Sequence, residues 1–194
     1  MTYRAAFVLA AAASLSGCGL NSVPTSQENT KARWADVQND YQRRADLIPN
    51  LVATVKAAGA QEKDILVQVT QARASATQVK VSGDDLTDPA KVQAYEQAQN
   101  NVTMSLQRLQ EAYPELKSQG NYTTLMSQLE GTENRIAIAR KDYNSAVQSY
   151  NTTIRTFPDA VGAKIFYGAK PMVPFQATTP GAETAPTVNF GNNS

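Results

Sequence analysis

The chain has no histidine, and only one of its 194 residues, Cys18, is a cysteine. Lack of histidine removes the Ser-His-Asp hydrolase arrangement, the imidazole general base and the commonest metal ligand. It also argues against a di-iron bundle, which relies on Glu-x-x-His pairs. A zinc site would lack its usual Cys and His ligands. One cysteine forbids an intrachain disulfide, so packing must hold the fold. A charge bias is missing too, with 18 Lys and Arg against 17 Asp and Glu. That balance gives no electrostatic reason to bind nucleic acid. No apolar run reaches the roughly 20 residues that cross a bilayer. No useful length alternates apolar and polar residues as a half-buried strand does. Neither G-x-G-x-x-G nor G-x-x-x-x-G-K-S/T is present, so nucleotide phosphates have no loop to cradle them. No catalytic residue, cofactor or metal follows from this inventory, and the expectation is a protein that is not an enzyme.

What is present begins at the N-terminus. Arg4 precedes an apolar stretch over residues 5–13, and Leu15-Ser16-Gly17-Cys18 follows. A basic start, a short apolar stretch and small residues at the cleavage point describe a signal peptide rather than a spanning helix. The tetrapeptide resembles a bacterial lipobox, in which the cysteine sulfur takes a diacylglycerol and the cysteine becomes the new N-terminus. Residues 1–17 are then a lipoprotein leader. Cys18 is the acylation site, carrying chains such as palmitate, and residues 18–29 are a tether. Each buried acyl methylene adds about 0.8 kcal/mol of membrane affinity. Gly19, in place of an aspartate, permits transfer to the periplasmic leaflet of the outer membrane if the cell is Gram-negative.

Residues 30–167 carry helical periodicity. Trp34, Tyr41, Ile48 and Val55 stand seven apart along a first helix that Gly59 ends or bends. A second helix is expected over residues 61–80, with Ile65, Val69, Ala72, Ala76 and Val79 inward. Asp88-Pro89 has the chemistry of a helix start, and Val92, Tyr95, Val102, Leu106, Leu109 and Tyr113 follow at helical steps until Pro114. A fourth helix holds Tyr122, Leu129, Ile136, Tyr143, Tyr150 and Phe157, each seven apart, and Pro158 closes it. A strict seven-residue seam imposes left-handed supercoiling. The fold expected is all-α, an antiparallel helical bundle of about four long helices with left-handed supercoil. A short helix over residues 159–166 can follow. Residues 168–194 are rich in Pro, Thr, Gly and Asn and read as a tail, extended to disordered, in which Met172, Val173 and Phe175 can lie across the bundle.

Two polar segments stand out. Pro49 falls inside the first helix, where it removes the bond to the Ala45 carbonyl and bends the axis. Arg43, Arg44, Asp46 and Asn50 surround that defect. On the fourth helix, Glu130 and Glu133 lie three apart beside Arg135. Such groups on long helices satisfy one another as ion pairs, or they form a docking site. The expectation is an ordered network joining the two segments. Asp84, Asp85 and Asp88 read as capping and loop residues. The tripeptides at Asn101, Asn121 and Asn151 fit the glycosylation pattern by accident of composition.

Several stretches together carry a family resemblance. They are Arg43-Arg44-Ala45-Asp46-Leu47-Ile48-Pro49-Asn50-Leu51-Val52, Gln71-Ala72-Arg73-Ala74 and Glu111-Ala112-Tyr113-Pro114-Glu115-Leu116. Leu129-Glu130-Gly131-Thr132-Glu133-Asn134-Arg135-Ile136 continues through Tyr143-Asn144, Tyr150-Asn151 and Phe157-Pro158. Together these stretches resemble the LemA family, and the resemblance implies a membrane-attached, all-helical antiparallel bundle and brings no enzymatic activity with it. Typical members resemble proteins held by one N-terminal transmembrane helix, and here a lipobox stands in its place. The reading is a cell-envelope lipoprotein, extracytoplasmic, attached to the membrane through lipid on Cys18. It acts as a helical scaffold or docking module for an envelope protein partner. The alternative is a binding module for an envelope peptide, glycan or lipid.

Overall fold

The structure, a computed structural model, describes residues 21–59 and 62–176. Five α-helices occur among them: α1 (Ser22–Ala57), α2 (Lys63–Gln78), α3 (Pro89–Ala112), α4 (Gly120–Thr153) and α5 (Asp159–Ile165). Short 3₁₀ turns stand at Asp85–Thr87 and Pro114–Ser118, and no strand occurs among the described residues. The expected leader and Cys18 lie outside those residues, as does the chain from residue 177 on, for which the sequence predicts disorder.

The boundaries have local causes. Asp88 caps α3 by accepting from the backbone N–H groups of Ala90 (3.0 Å) and Lys91 (3.4 Å). Pro89 follows at the first helical position, where a missing N–H is harmless. Pro114 ends α3, because the residue before a proline is pushed out of helical geometry; Tyr113 has ψ of 61°. Gly59 stops α1 at a φ of +87°, which a side chain would strain.

Contacts between helices fix their directions. Thr30 donates to the Ala146 carbonyl, and Arg44 to Glu133, so α1 and α4 run antiparallel. Trp34 reaches the Val81 carbonyl beyond the end of α2, and Arg73 reaches the Ala45 carbonyl, so α2 runs back along α1. Tyr113, at the end of α3, meets Glu62, just before α2. The buried apolar residues form two clusters. One contains Trp34, Tyr41, Tyr95, Ile136, Tyr143 and Tyr150. The other contains Ile48, Leu51, Val69, Val102, Leu109, Tyr122 and Leu129.

The sequence-based boundaries need correction in four places. No tether reaches residue 29, because α1 starts at Ser22. Pro24 is tolerated there because the first turn has no helical acceptor for its N–H, and burial of Val23 and Thr30 holds the turn against the core. At the other end, α4 stops at Thr153, so Phe157 does not complete the seam and is 86% exposed. Residue 157 precedes a proline and is disfavoured as helix. In α2, which spans 63–78 rather than 61–80, Leu66 is buried while Ile65 and Ala72 are only half-buried. Val79 lies past the end of α2, partly buried in extended geometry.

The described part of the tail is extended and docked. Two asparagines seven residues apart on α4 hold it as a strand partner would. Asn151 accepts from the Met172 N–H (2.9 Å) and donates to the Met172 carbonyl (2.8 Å). Asn144 does the same for Phe175 at 2.8 and 3.0 Å. The Val173 N–H bonds the Leu86 carbonyl, and the Val173 carbonyl accepts from the Tyr143 hydroxyl. Phe175 stacks on Trp34 at 5.5 Å between ring centroids and meets Tyr143 edge-on at 5.3 Å.

The tail is therefore part of the core. Phe175→Ala is expected to lower stability by about 3 kcal/mol, as truncation of a buried aromatic does. Asn144→Ala, which strands a backbone N–H, is expected to lose about 1–3 kcal/mol. Ile138→Ala on the exposed face of α4 should stay within about 0.5 kcal/mol. Denaturant titration of the three variants measures this; equal effects at all three would refute the clasp.

Candidate functional site

Helical periodicity puts Arg44 on the inner face of α1, midway between Tyr41 and Ile48, which belong to the two different apolar clusters. Its side chain enters the bundle and is 1% exposed. One terminal nitrogen, Nη1, donates to Glu133 Oε1 on α4 (2.7 Å) and to Thr103 Oγ1 on α3 (2.8 Å). The other, Nη2, donates to the carbonyl and to Oε1 of Gln99 on α3 at 3.0 and 2.7 Å. The guanidinium also lies 5.0 Å from the centre of the Tyr41 ring, in cation–π range. Thr132 is fully buried at the same level of α4. A polar layer thus separates the two apolar clusters.

The proline defect joins this layer. The Ala45 carbonyl, deprived of its helical donor by Pro49, accepts from Arg73 Nε of α2 at 2.7 Å. All four long helices are therefore linked within about one turn. Arg73 was not among the sequence-derived candidates. The clue was the orphan acceptor at Ala45, but a donor so far along the chain is visible only once α2 folds back.

Of the seven candidates, the structure brings Arg44 and Glu133 together. Arg135 is exposed, with Nε 3.8 Å from Asp40 Oδ1 and Nη2 donating to Thr132 Oγ1 at 3.3 Å. Arg43 points to solvent. Asp46 is exposed and accepts from Gln42 at 2.7 Å. Asn50 is exposed, its carbonyl accepting from Thr54. Glu130 is exposed one turn before Glu133. The reason is angular: adjacent helical residues diverge by about 100°, so Arg43 and Arg44 cannot share a face.

A second polar node, also missed from sequence, secures the tail. Arg140 donates to Glu96 (3.3 Å) and to the Gln176 carbonyl (2.9 Å), and lies over the Phe175 ring at 4.7 Å. Glu96 also accepts from the Gln176 N–H at 3.0 Å. Burial raises the Glu96 pKa above the usual carboxylate value, against the opposing pull of the Gln176 N–H and Arg140.

Beside the arginine layer a groove of about 420 Å³ opens between α1, α2 and α3. Arg44, Arg73 and Lys80 line it with Tyr41, Tyr95 and Ile48, and no carboxylate contributes. Burial pushes both tyrosine pKa values up, so the hydroxyls stay protonated and serve as hydrogen-bond groups rather than bases. Among the described residues no group of three or more His, Cys, Asp or Glu converges as a metal site would require.

The LemA family model matches residues 33–190, a span containing the arginine layer, both clasp asparagines and Phe175. The chain belongs to the LemA family. It is similar to two curated proteins of Paramagnetospirillum magneticum, magnetosome protein MamQ 1 and magnetosome protein MamQ 2. Each is 26% identical over 157 residues, covering 71% of this chain. The chain spans 58% of the length of these relatives. No described helix is long and apolar enough to cross a membrane.

Two measurements test the polar nodes of this LemA bundle. Glu133→Ala leaves a buried cation without its counter-charge and is expected to lower stability by about 3 kcal/mol. That is the low end of the range for a broken buried pair, because the Glu133 side chain is 38% exposed. Combined with Arg44→Met, the loss should be at least about 1 kcal/mol less than additive; additivity would show that the pair is not coupled. At Glu96 the raised folded pKa means that the native state holds the proton more tightly than the unfolded chain. Wild type should therefore gain stability relative to Glu96→Gln as pH falls from 7 towards the ordinary glutamate pKa of about 4. Melting curves across that window check the sign.

Proposed function

We propose that this LemA-family protein is a lipid-anchored component of the bacterial envelope that works as a helical docking scaffold, without catalysis. One observation carries the reading: the arginine layer is satisfied from within. Arg44 spends its terminal nitrogens on Gln99, Thr103 and Glu133. Among the described residues, the Tyr122 hydroxyl is the one buried side-chain polar atom left without a partner. A bundle whose inner polar groups bind one another is built for shape rather than for turnover. Its two longest helices, of 36 and 34 residues, present extended outer faces on which a partner can dock. The seven-residue seams of α1 and α4 give the bundle a left-handed sense.

The anchor rests on Leu15-Ser16-Gly17-Cys18, placed four residues ahead of Ser22, where α1 begins. Cys18 carries the lipid, the domain lies outside the cytoplasm, and Gly19 favours the outer membrane's periplasmic leaflet in a Gram-negative cell. The groove supports a second reading, a binding module for an envelope peptide, glycan or lipid. Its lining has positive charge and apolar walls with no carboxylate, which suits a ligand with an anionic group.

Labelling cells with a clickable fatty acid is expected to mark the wild-type chain and to leave Cys18→Ser unmarked and unprocessed or released. An unmarked wild type would remove the anchor. In situ crosslinking and pull-down then separates the two functional readings. A recurrent protein partner supports the scaffold, and a small anionic ligand co-purifying with wild type but not with Lys80→Glu supports the groove.

A further inference from the structure

Exposed large hydrophobic side chains are not spread evenly over this molecule. Val67, Met104 and Ile138 stand singly on different helices, whereas Phe157, Val161, Ile165, Phe166 and Tyr167 are crowded around α5. Phe157 is 86% exposed, Ile165 69% and Phe166 68%. Val161 and Ile165 are one turn apart on the outward face of α5, while Gly162 and Ala163 face the core. Single exposed apolar residues need no explanation, but a contiguous set at one end of a monomer marks an interaction surface.

Charge along residues 155–170 has one predominant sign. Arg155, Lys164 and Lys170 are exposed, and none forms an ion pair among the described residues. Between residues 155 and 170 the one acidic residue is Asp159, which accepts a hydrogen bond from Ser22 Oγ at 2.6 Å. That bond also locates the surface. Ser22 is the first residue of α1, and Val23 and Ala163 belong to the same buried cluster. The patch therefore lies where residues 1–20 join the bundle, the segment that carries Cys18 and the apolar stretch.

We propose that Phe157, Val161, Ile165, Phe166 and Tyr167 form an interfacial membrane-binding surface that enters the headgroup region of an anionic bilayer, with Arg155, Lys164 and Lys170 on lipid phosphates. The proposal rests on the membrane attachment argued above and goes beyond it: the folded domain itself touches lipid. Aromatic and aliphatic side chains ringed by Lys and Arg have the composition of an interfacial element. Basic side chains beside a bilayer contribute through the negative surface potential. An acyl chain a few residues from α1 brings the patch to the membrane at high effective concentration. The two attachments together then orient the bundle, where the lipid anchor alone would leave it free to tumble.

The test uses the full chain reconstituted with phosphatidylglycerol-containing vesicles that carry brominated acyl chains. Trp34 is buried and serves as the background signal. Phe166→Trp places a reporter in the patch and Ile138→Trp places one on exposed α4; both positions are exposed, so neither variant disturbs the core. The emission added by Phe166→Trp should be quenched several-fold more than that added by Ile138→Trp. Lys164→Glu with Lys170→Glu should weaken this quenching, and phosphatidylcholine vesicles should do the same. Co-flotation with vesicles but equal or absent quenching at both positions overturns the surface while leaving the anchor standing. Quenching in a chain shown to carry no acyl group sustains the surface and removes the anchor. Failure to co-float overturns both. Concentration-dependent dimerisation abolished by Phe166→Ser, without lipid quenching, would assign the patch to a second copy of the chain and overturn the proposal.

Discussion

The fold turns on one buried cation. A guanidinium held away from water is tolerable only with its charge matched and its N–H groups engaged. Arg44 meets that condition by drawing Glu133 from α4, and Gln99 and Thr103 from α3, to a single level. Sliding α1 or α4 by one turn would leave the charge buried and unpaired, and sliding α3 would strand two or more of its N–H groups. Apolar seams alone discriminate poorly between such registers, because one Leu or Val contact resembles the next. A layer of this kind gives up some of the stability that an apolar core would supply and narrows the packing to one alignment, as polar core positions do in coiled coils.

The level of Arg44 also organises what lies around it. Pro49 would leave an orphan acceptor at the Ala45 carbonyl, and Arg73 reaches across from α2 to occupy it. Defect and donor thereby add a fourth helix to the same belt. On one side of the belt lies the aromatic cluster of Trp34, Tyr41, Tyr95 and Tyr143, closed by Phe175 from the tail. On the other lies the Leu- and Val-rich cluster. Both cores thus depend on alignment set between them, and the aromatic one is completed by residues that follow the last helix.

This arrangement gives the molecule two distinct ends. One holds the start of α1, α5 and the basic, apolar surface proposed to face lipid. The other holds the turn after α1 and the start of α4. The groove opens between them, beside the polar belt. In the reading advanced here, the membrane fixes one end and the long faces of α1 and α4 are held out toward whatever the protein recruits.

Much of this was legible in the residues. Seven-residue seams predicted α1 and α4, Asp88-Pro89 marked the start of α3, and the buried side chains of Trp34, Tyr41, Ile48, Tyr143 and Tyr150 follow the predicted faces. Such features are local: a period, a cap or a proline acts within a few residues. The pairing of Arg44 with Glu133 was legible only as one possibility among several, since charge identifies candidates without saying which face they occupy. Arg73, Asn144 and Asn151 stand in the family-resembling stretches, but nothing local showed what they, Glu96 or Arg140 bind, because each serves a group at least 21 residues away in one of its contacts. The start of α1 at Ser22 was misplaced for a related reason, as burial of Val23 outweighed the polar look of its neighbours, whereas the end of α4 at Thr153 was misplaced by following the seven-residue period up to the residue before Pro158. Sequence by itself determined that the helices exist, where their seams run, and the absence of imidazole and of an intrachain disulfide. Only the tertiary structure decided which polar groups meet, how the tail docks and which apolar residues remain outside, because those outcomes depend on the separation and facing of elements that the chain brings together last.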